Sequence, residues 1–170
     1  MLLRVTMNLV IETMKEQDWP AVREIYREGI NTGHATFETE APTWEQWDSD
    51  HLADCRLVAK CDGQVVGWVA LSPVSRRKVY SGVVEVSLYV KASARRQGIG
   101  KTLLAAAIEE SERAGIWTLQ SMTFPENSAS IALQESCGFR QVGRREHIGQ
   151  MNGHWRDVIL MERRSKKVGI

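Results

Sequence analysis

The chain has no run of 18 apolar residues, no Cys-x-x-Cys pair, no internal repeat and almost no net charge. Each absence removes a class of protein. Without a long apolar run there is no helix that spans a bilayer. The opening segment, residues 1–7, is too short and too interrupted by Arg4 and Asn8 for a secretion signal, and Met7 is a candidate start. Three cysteines, Cys55, Cys61 and Cys137, are odd in number and scattered, which argues against a disulfide framework or a zinc site. The expectation is a reducing, cytoplasmic setting and no metal. A net charge of +1 excludes a broadly basic surface. The one tight cationic cluster, Arg163-Arg164-Ser165-Lys166-Lys167, reads as a solvated tail. Neither nucleic acid nor a membrane is therefore expected as a partner.

What is present is ordinary globular composition, 43% hydrophobic and 25% charged over 170 residues, enough for a sizeable core. With four prolines and no low-complexity linker, residues 1–170 read as one domain, patterned over about 9–164, with 165–170 as a tail. A strand at Leu9-Val10-Ile11 leads to a helix over about 19–30, for which Asp18 is the expected N-cap and Pro20 sits in the first turn. Residues 33–40 lack a helical period. Thr43-Trp44-Glu45-Gln46 is a capping box that opens a helix to about 53. Asp62-Gly63 between apolar runs at 56–60 and 65–71 is a hairpin signal. A strand over 83–90 precedes a helix that starts near 99 and stops at Gly115. Strand 117–124, helix 127–137, strand 139–147, an Asn152-Gly153 turn and strand 154–162 complete a mixed α/β order.

The junction after the 83–90 strand carries the chemistry. Arg95-Arg96-Gln97-Gly98-Ile99-Gly100-Lys101 passes from strand to helix through glycines that admit close approach to the backbone. A helix start there offers free N–H groups and about +0.5 charge to an anion. Gly100-Lys101-Thr102 ends like a nucleoside-triphosphate loop, but the glycine required five residues earlier is Arg95. Only two of the three glycines of a dinucleotide fingerprint can be matched. Arginine-glycine helix starts also occur in proteins that bind no phosphate, so the rest of the chain has to decide.

Arg-x-x-Gly-x-Gly after a strand resembles the pyrophosphate-binding element of the GNAT family of N-acetyltransferases, and the element order resembles that fold. A second segment, from Asn127 through Ser130 to Gly138-Phe139, is similar to the family's element for the far arm of the coenzyme. Ala35-Thr36-Phe37-Glu38, Arg77-Lys78-Val79-Tyr80, Val84-Glu85-Val86-Ser87-Leu88-Tyr89-Val90 and Gly153-His154-Trp155-Arg156-Asp157-Val158 resemble the phosphinothricin and methionine-sulfoximine acetyltransferase branch. The resemblance implies a mostly antiparallel twisted sheet flanked by about four helices. It also implies acetyl-coenzyme A as co-substrate, a small amino acid or analogue as acceptor, and a homodimer in which Trp155 is a candidate contact. By the same resemblance Leu88, Tyr89 and Val90 pair with the pantetheine arm through their main chain. Residues Arg95, Arg96, Gln97, Gly98, Ile99, Gly100 and Lys101 hold the pyrophosphate, and Asn127 and Ser130 meet the coenzyme from the second helix.

An ammonium acceptor must lose a proton before it attacks a thioester. Glu85, a carboxylate inside an apolar strand, is the candidate base, against the plainer reading that it lies on a solvent face. Arg77, Lys78 and Tyr80, on the loop before that strand, and Phe37 are candidate acceptor contacts together with Glu85. One departure stands out. Many relatives carry a tyrosine four residues before the glycine of Gly-Phe, as acid for the leaving sulfur, and this chain has Gln134. Acetylation of a protein N-terminus, a lysine or an aminoglycoside, and a non-catalytic acyl-coenzyme A sensor, stay open as alternatives.

Overall fold

In the computed structural model, which describes residues 8–170, two polar-glycine pairs build the hairpins. Asp62 and Gly63 take φ of 48° and 82°, and Asn152 and Gly153 take 49° and 79°, the left-handed pair that matches strand twist. They join β2 (Leu57–Cys61) to β3 (Gln64–Pro73) and β6 (Arg140–Met151) to β7 (His154–Arg164). With β1 (Leu9–Thr13), β4 (Val83–Val90) and β5 (Thr118–Thr123) they form one sheet in the order β1-β2-β3-β4-β5-β7-β6. Every pair is antiparallel except β4 with β5. The helices are α1 (Trp19–Asn31), α2 (Trp44–Asp50), α3 (Ile99–Arg113) and α4 (Ser128–Ser136). The order of elements is the one read from the sequence. No helix among the described residues is long and apolar enough to cross a membrane. Met7, the candidate start, lies outside the described residues.

Strand alternation divides the helices between two faces. Val58, Trp68 and Ala70 point to one face, where Trp19, Val22 and Ile25 of α1 and Trp47 of α2 cover them. Leu57, Ala59 and Val69 point to the other, against Ile99, Leu103 and Ala107 of α3. Along β4 the even positions Val84, Val86, Leu88 and Val90 pack on the α3 side and Tyr89 on the α1 side. Fully burying side chains of this size stabilises the fold by about 1.5–3 kcal/mol each.

Four local expectations are corrected. Asp18 caps no N–H of α1; its carboxylate accepts the Lys15 N–H at 2.9 Å and pairs with Lys60 at 3.0 Å. The second helix stops at Asp50, because the Arg56 guanidinium takes the carbonyls of Asp48 and His51 at 2.9 and 2.8 Å in place of further helical bonds. β6 runs past 147 to Met151 through an irregularity in which His147 has φ of 46° and its N–H donates to Asp157 at 2.8 Å. Residues 146–148 stand opposite Asp157 alone, and this interruption of regular pairing hides the longer strand. Finally, the basic end is no free tail. Arg163 and Lys167 pair with Glu112 of α3 at 3.2 and 3.1 Å, and Ser165, 4% exposed, donates to the same carboxylate at 2.9 Å.

Gly82, one residue before β4, is seated under the ring of Trp117, and a Cβ there would fall within that ring. Its carbonyl accepts the N–H groups of both Trp117 and Thr118 at 3.0 Å, so the backbone cannot easily retreat. Gly82→Ala is expected to cost about 1–3 kcal/mol, read as a lower midpoint in chemical denaturation with an unchanged slope.

Candidate active site

The site begins as a gap in the sheet. β4 pairs with β3 from Val84 to Val90, but with β5 only from Val83 to Glu85. Beyond Glu85 the two parallel strands part, so the β5-facing edge of residues 86–90 has no strand partner. A cavity of about 960 Å³ fills the parting, bordered by residues of β4, β5, the entry to α3, the first turns of α4 and the loop after α1.

The entry to α3 is built by backbone conformation. Arg96 and Gly98 take φ of 61° and 79°, and Gly98 stands at the N-cap of α3 with no side-chain cap. The first N–H groups of α3 are therefore free, next to the cavity-lining side chains of Arg95, Arg96 and Lys101. A Cβ at Gly98 would meet no protein atom within 4 Å, so the space beside it is open to a ligand. Gly100 also has a packing role. A Cβ there would lie 3.1 Å from Leu133, so this glycine lets α3 approach α4. The donor set, the open backbone and the bare strand edge suit a pyrophosphate joined to an extended amide arm, as in coenzyme A.

The opposite side of the cavity lies across β4. Glu85, Ser87 and Tyr89 alternate away from Val86, Leu88 and Val90 and face the loop after α1. Burial raises the Glu85 carboxyl above its ordinary value, partly offset by the Gln120 amide, which donates to it at 3.4 Å. The Tyr89 ring stacks on Trp68 at 4.9 Å and fits against Gly29 of α1, and burial with Tyr26 beside it pushes its phenol up. Tyr89 thus presents its main chain to the cavity while its side chain joins the core.

A wall is pinned from the far end of the chain. Arg156 of β7 donates to the Gly33 carbonyl at 2.9 Å and meets His34 Nδ1 at 3.1 Å, with its guanidinium 3.9 Å from the Phe124 ring centre. Because arginine only donates, Nδ1 is the accepting nitrogen of His34. Phe37 then packs edge-on to Phe124 at 4.8 Å, over Gly149, whose absent Cβ makes room for the ring. Asn127 closes the corner: its side chain accepts the Ser130 N–H at 3.2 Å and donates to the His34 carbonyl at 3.3 Å. It is a helix cap and a cavity residue at once.

The cavity gathers Glu85, Leu88, Tyr89, Val90, Arg95, Arg96, Gly98, Ile99, Gly100, Lys101, Asn127, Ser130 and Phe37. It does not gather Gln97, which is exposed, or Arg77, Lys78 and Tyr80. Those three stand exposed on the β3–β4 loop, with the Arg77 guanidinium over the Tyr80 ring at 5.4 Å. Sequence reasoning passed over Ser121 and Thr123. Their signal was two hydroxyls at alternate positions on the buried face of β5.

Residues 19–139 match the model of the family described as acetyltransferase (GNAT) family. A phosphinothricin N-acetyltransferase from Alcaligenes faecalis is 32% identical over 90% of this chain and 81% of its own. An L-methionine sulfoximine/L-methionine sulfone acetyltransferase from Pseudomonas paraeruginosa is 32% identical over 85% of this chain and 88% of its own. The crystal structure of a phosphinothricin acetyltransferase from Sinorhizobium meliloti in complex with acetyl-coenzyme A superposes with a TM-score of 0.85 at 27% identity, over 96% of this chain and 91% of that one. With the parted strands and the glycine-entered helix already described, these matches make the chain a member of the GNAT acetyltransferase family, an N-acetyltransferase.

Proposed function

We propose that the enzyme uses acetyl-coenzyme A to acetylate the α-amino group of a small amino acid or analogue of the phosphinothricin, methionine sulfoximine, methionine sulfone or arsinothricin type, by direct transfer in a ternary complex. The observation that carries the reading is the placement of one half-buried carboxylate, Glu85, and the anion-cradle residues Arg95, Arg96, Gly98, Gly100 and Lys101 on a single cavity at the parting of β4 and β5. The relatives named above support the acceptor class. When bound, the coenzyme supplies an activated acyl group; the chain's own residues do the rest. The α3 entry with Arg95, Arg96 and Lys101 binds the charged end, and the free edge of residues 86–90 orients the arm by main-chain hydrogen bonds. Glu85 accepts the proton of the incoming amine, directly or through a water. Phe37, held by Phe124 and Gly149, bounds the acceptor side.

The reading includes a homodimer. Trp155, 59% exposed on β7, suits packing between copies. Light scattering that reports twice the chain mass supports this part.

A base must be ionised to act, so kcat/KM falls as pH drops through the Glu85 pKa. Burial sets that limb above the ordinary glutamate value of 4.5. Its loss in Glu85→Gln is read from a pH–rate profile. The function itself is tested by thiol release from acetyl-coenzyme A across the four acceptors, with a peptide bearing a free N-terminus beside them. Turnover with one of the four supports the reading. Turnover with the peptide alone overturns the acceptor class.

A further inference from the structure

Four polar side chains meet on the coenzyme side of the cavity, and their hydrogen bonds have a direction. Ser121 and Thr123, 9% and 6% exposed, are two apart on β5 with their hydroxyl oxygens 2.8 Å from each other. Ser130 and Gln134 are one turn apart on α4. Gln134, 6% exposed, donates from Nε2 to Thr123 Oγ1 at 3.0 Å and to Ser130 Oγ at 3.1 Å. Its Oε1 is buried without a partner.

An amide nitrogen has two hydrogens, and here both are used. The opposite amide orientation would leave two buried N–H groups unpaired in place of one carbonyl, the costlier arrangement. With Nε2 facing the hydroxyls, Ser130 and Thr123 must both accept from Gln134. Thr123 shares its remaining capacity with Ser121. The Ser130 hydrogen has no protein acceptor among the described residues and is free to point into the cavity, which Ser130 lines together with Val86, Ser87 and Leu88.

We propose that the Ser130 hydroxyl donates a hydrogen bond to the coenzyme sulfur as the acyl group leaves, and that Gln134 is the positioning residue that fixes the direction of that hydroxyl. The proposal rests on the acetyl-coenzyme A reading above. It accounts for the glutamine at the place where many relatives carry an acidic phenol. The balance is simple. The ammonium acceptor gives one proton to Glu85, directly or through a water, before it attacks, and nitrogen loses the second to solvent as the C–N bond forms. The C–S bond breaks with its electron pair on sulfur, leaving an amide, a protonated Glu85 and a thiolate. An alcohol is a weaker acid than a thiol, so Ser130 keeps its proton and stabilises the thiolate by hydrogen bonding alone. The thiolate collects a proton from solvent on release.

The test reads the thiol of bound coenzyme A through its near-ultraviolet thiolate absorbance as a function of pH, with no acceptor present. Wild type is expected to lower the pKa of the bound thiol relative to the free coenzyme. Ser130→Ala, at a partly exposed first-turn position that the fold tolerates, raises it by about one unit, and Ser130→Thr restores it. Turnover of Ser130→Ala falls by about 10- to 100-fold. Gln134→Leu gives a smaller shift in the same direction, and that shift disappears in the Ser130→Ala background, as a group acting through Ser130 requires. Coenzyme binding with the same thiol titration in wild type and Ser130→Ala overturns this proposal alone. No coenzyme binding to wild type removes it together with the reading on which it rests.

Discussion

Glu85→Gln lowers turnover by about 10²- to 10⁴-fold, the range a positioned general base contributes, and leaves the coenzyme affinity unchanged. The separation follows from strand alternation. Glu85 faces the loop after α1, whereas Val86, Leu88 and Val90 on the opposite face pack toward α3. The exchange is nearly isosteric, and the Gln120 amide keeps an oxygen to which it donates. Unfolding cannot be the cause of the loss. A carboxyl whose folded pKa lies above its unfolded value contributes most to stability when protonated, below the unfolded value, and that contribution is lost as pH rises through the folded pKa. At neutral pH the ionised Glu85 therefore costs stability, and the neutral glutamine removes that cost. The variant is expected to melt no lower than wild type, by thermal denaturation at pH 7. Full turnover in Glu85→Gln would take the base role away from this residue. Loss of turnover with coenzyme binding intact separates an enzyme from a non-catalytic sensor, since a sensor has no turnover to lose.

Gly98→Val carries the second large effect, on binding. At φ of +79° a β-branched residue is strained by about 1–3 kcal/mol, so the variant is less stable. Its side chain also projects into space that no protein atom occupies within 4 Å, over the free N–H groups of α3. Affinity for acetyl-coenzyme A is expected to fall by about 100-fold or more, roughly 2.7 kcal/mol or more of binding free energy. Gly115→Val is the control. Gly115 has the same φ of +79° and the same open surroundings, but it ends α3, a helix length from the cradle. Both variants should lose comparable stability in denaturant titrations, and only Gly98→Val should lose affinity. Equal affinity losses would mean that helix strain, and no anion contact, explains the effect.

The hairpins were legible because Asp62-Gly63 and Asn152-Gly153 are the pairs that tolerate two successive left-handed residues. The strand-to-helix turn before α3 was legible because a glycine at such a junction fixes a local conformation. Asp18 misled because a carboxylate before a helix can be claimed by a distant lysine, and Lys60 arrives only when β2 pairs with β1. The basic end misled for a like reason: its carboxylate partner, Glu112, is some fifty residues away on α3. Arg156 was invisible as the clamp on Gly33 and His34, because a contact across 123 positions leaves no local signal. Arg77, Lys78 and Tyr80 matched a recurring segment, and a segment match says nothing of which way side chains turn in one chain. Gln134 could be seen in the sequence as a missing phenol. That it organises two hydroxyls could be seen only once β5 and α4 were packed together.

The most direct measurement is a calorimetric titration of the purified chain with acetyl-coenzyme A. A single saturable site per chain, retained in Glu85→Gln and lost in Gly98→Val, is the predicted result. No saturable heat with the wild-type protein would contradict the claim that the parting of β4 and β5 and the start of α3 together hold the acyl donor.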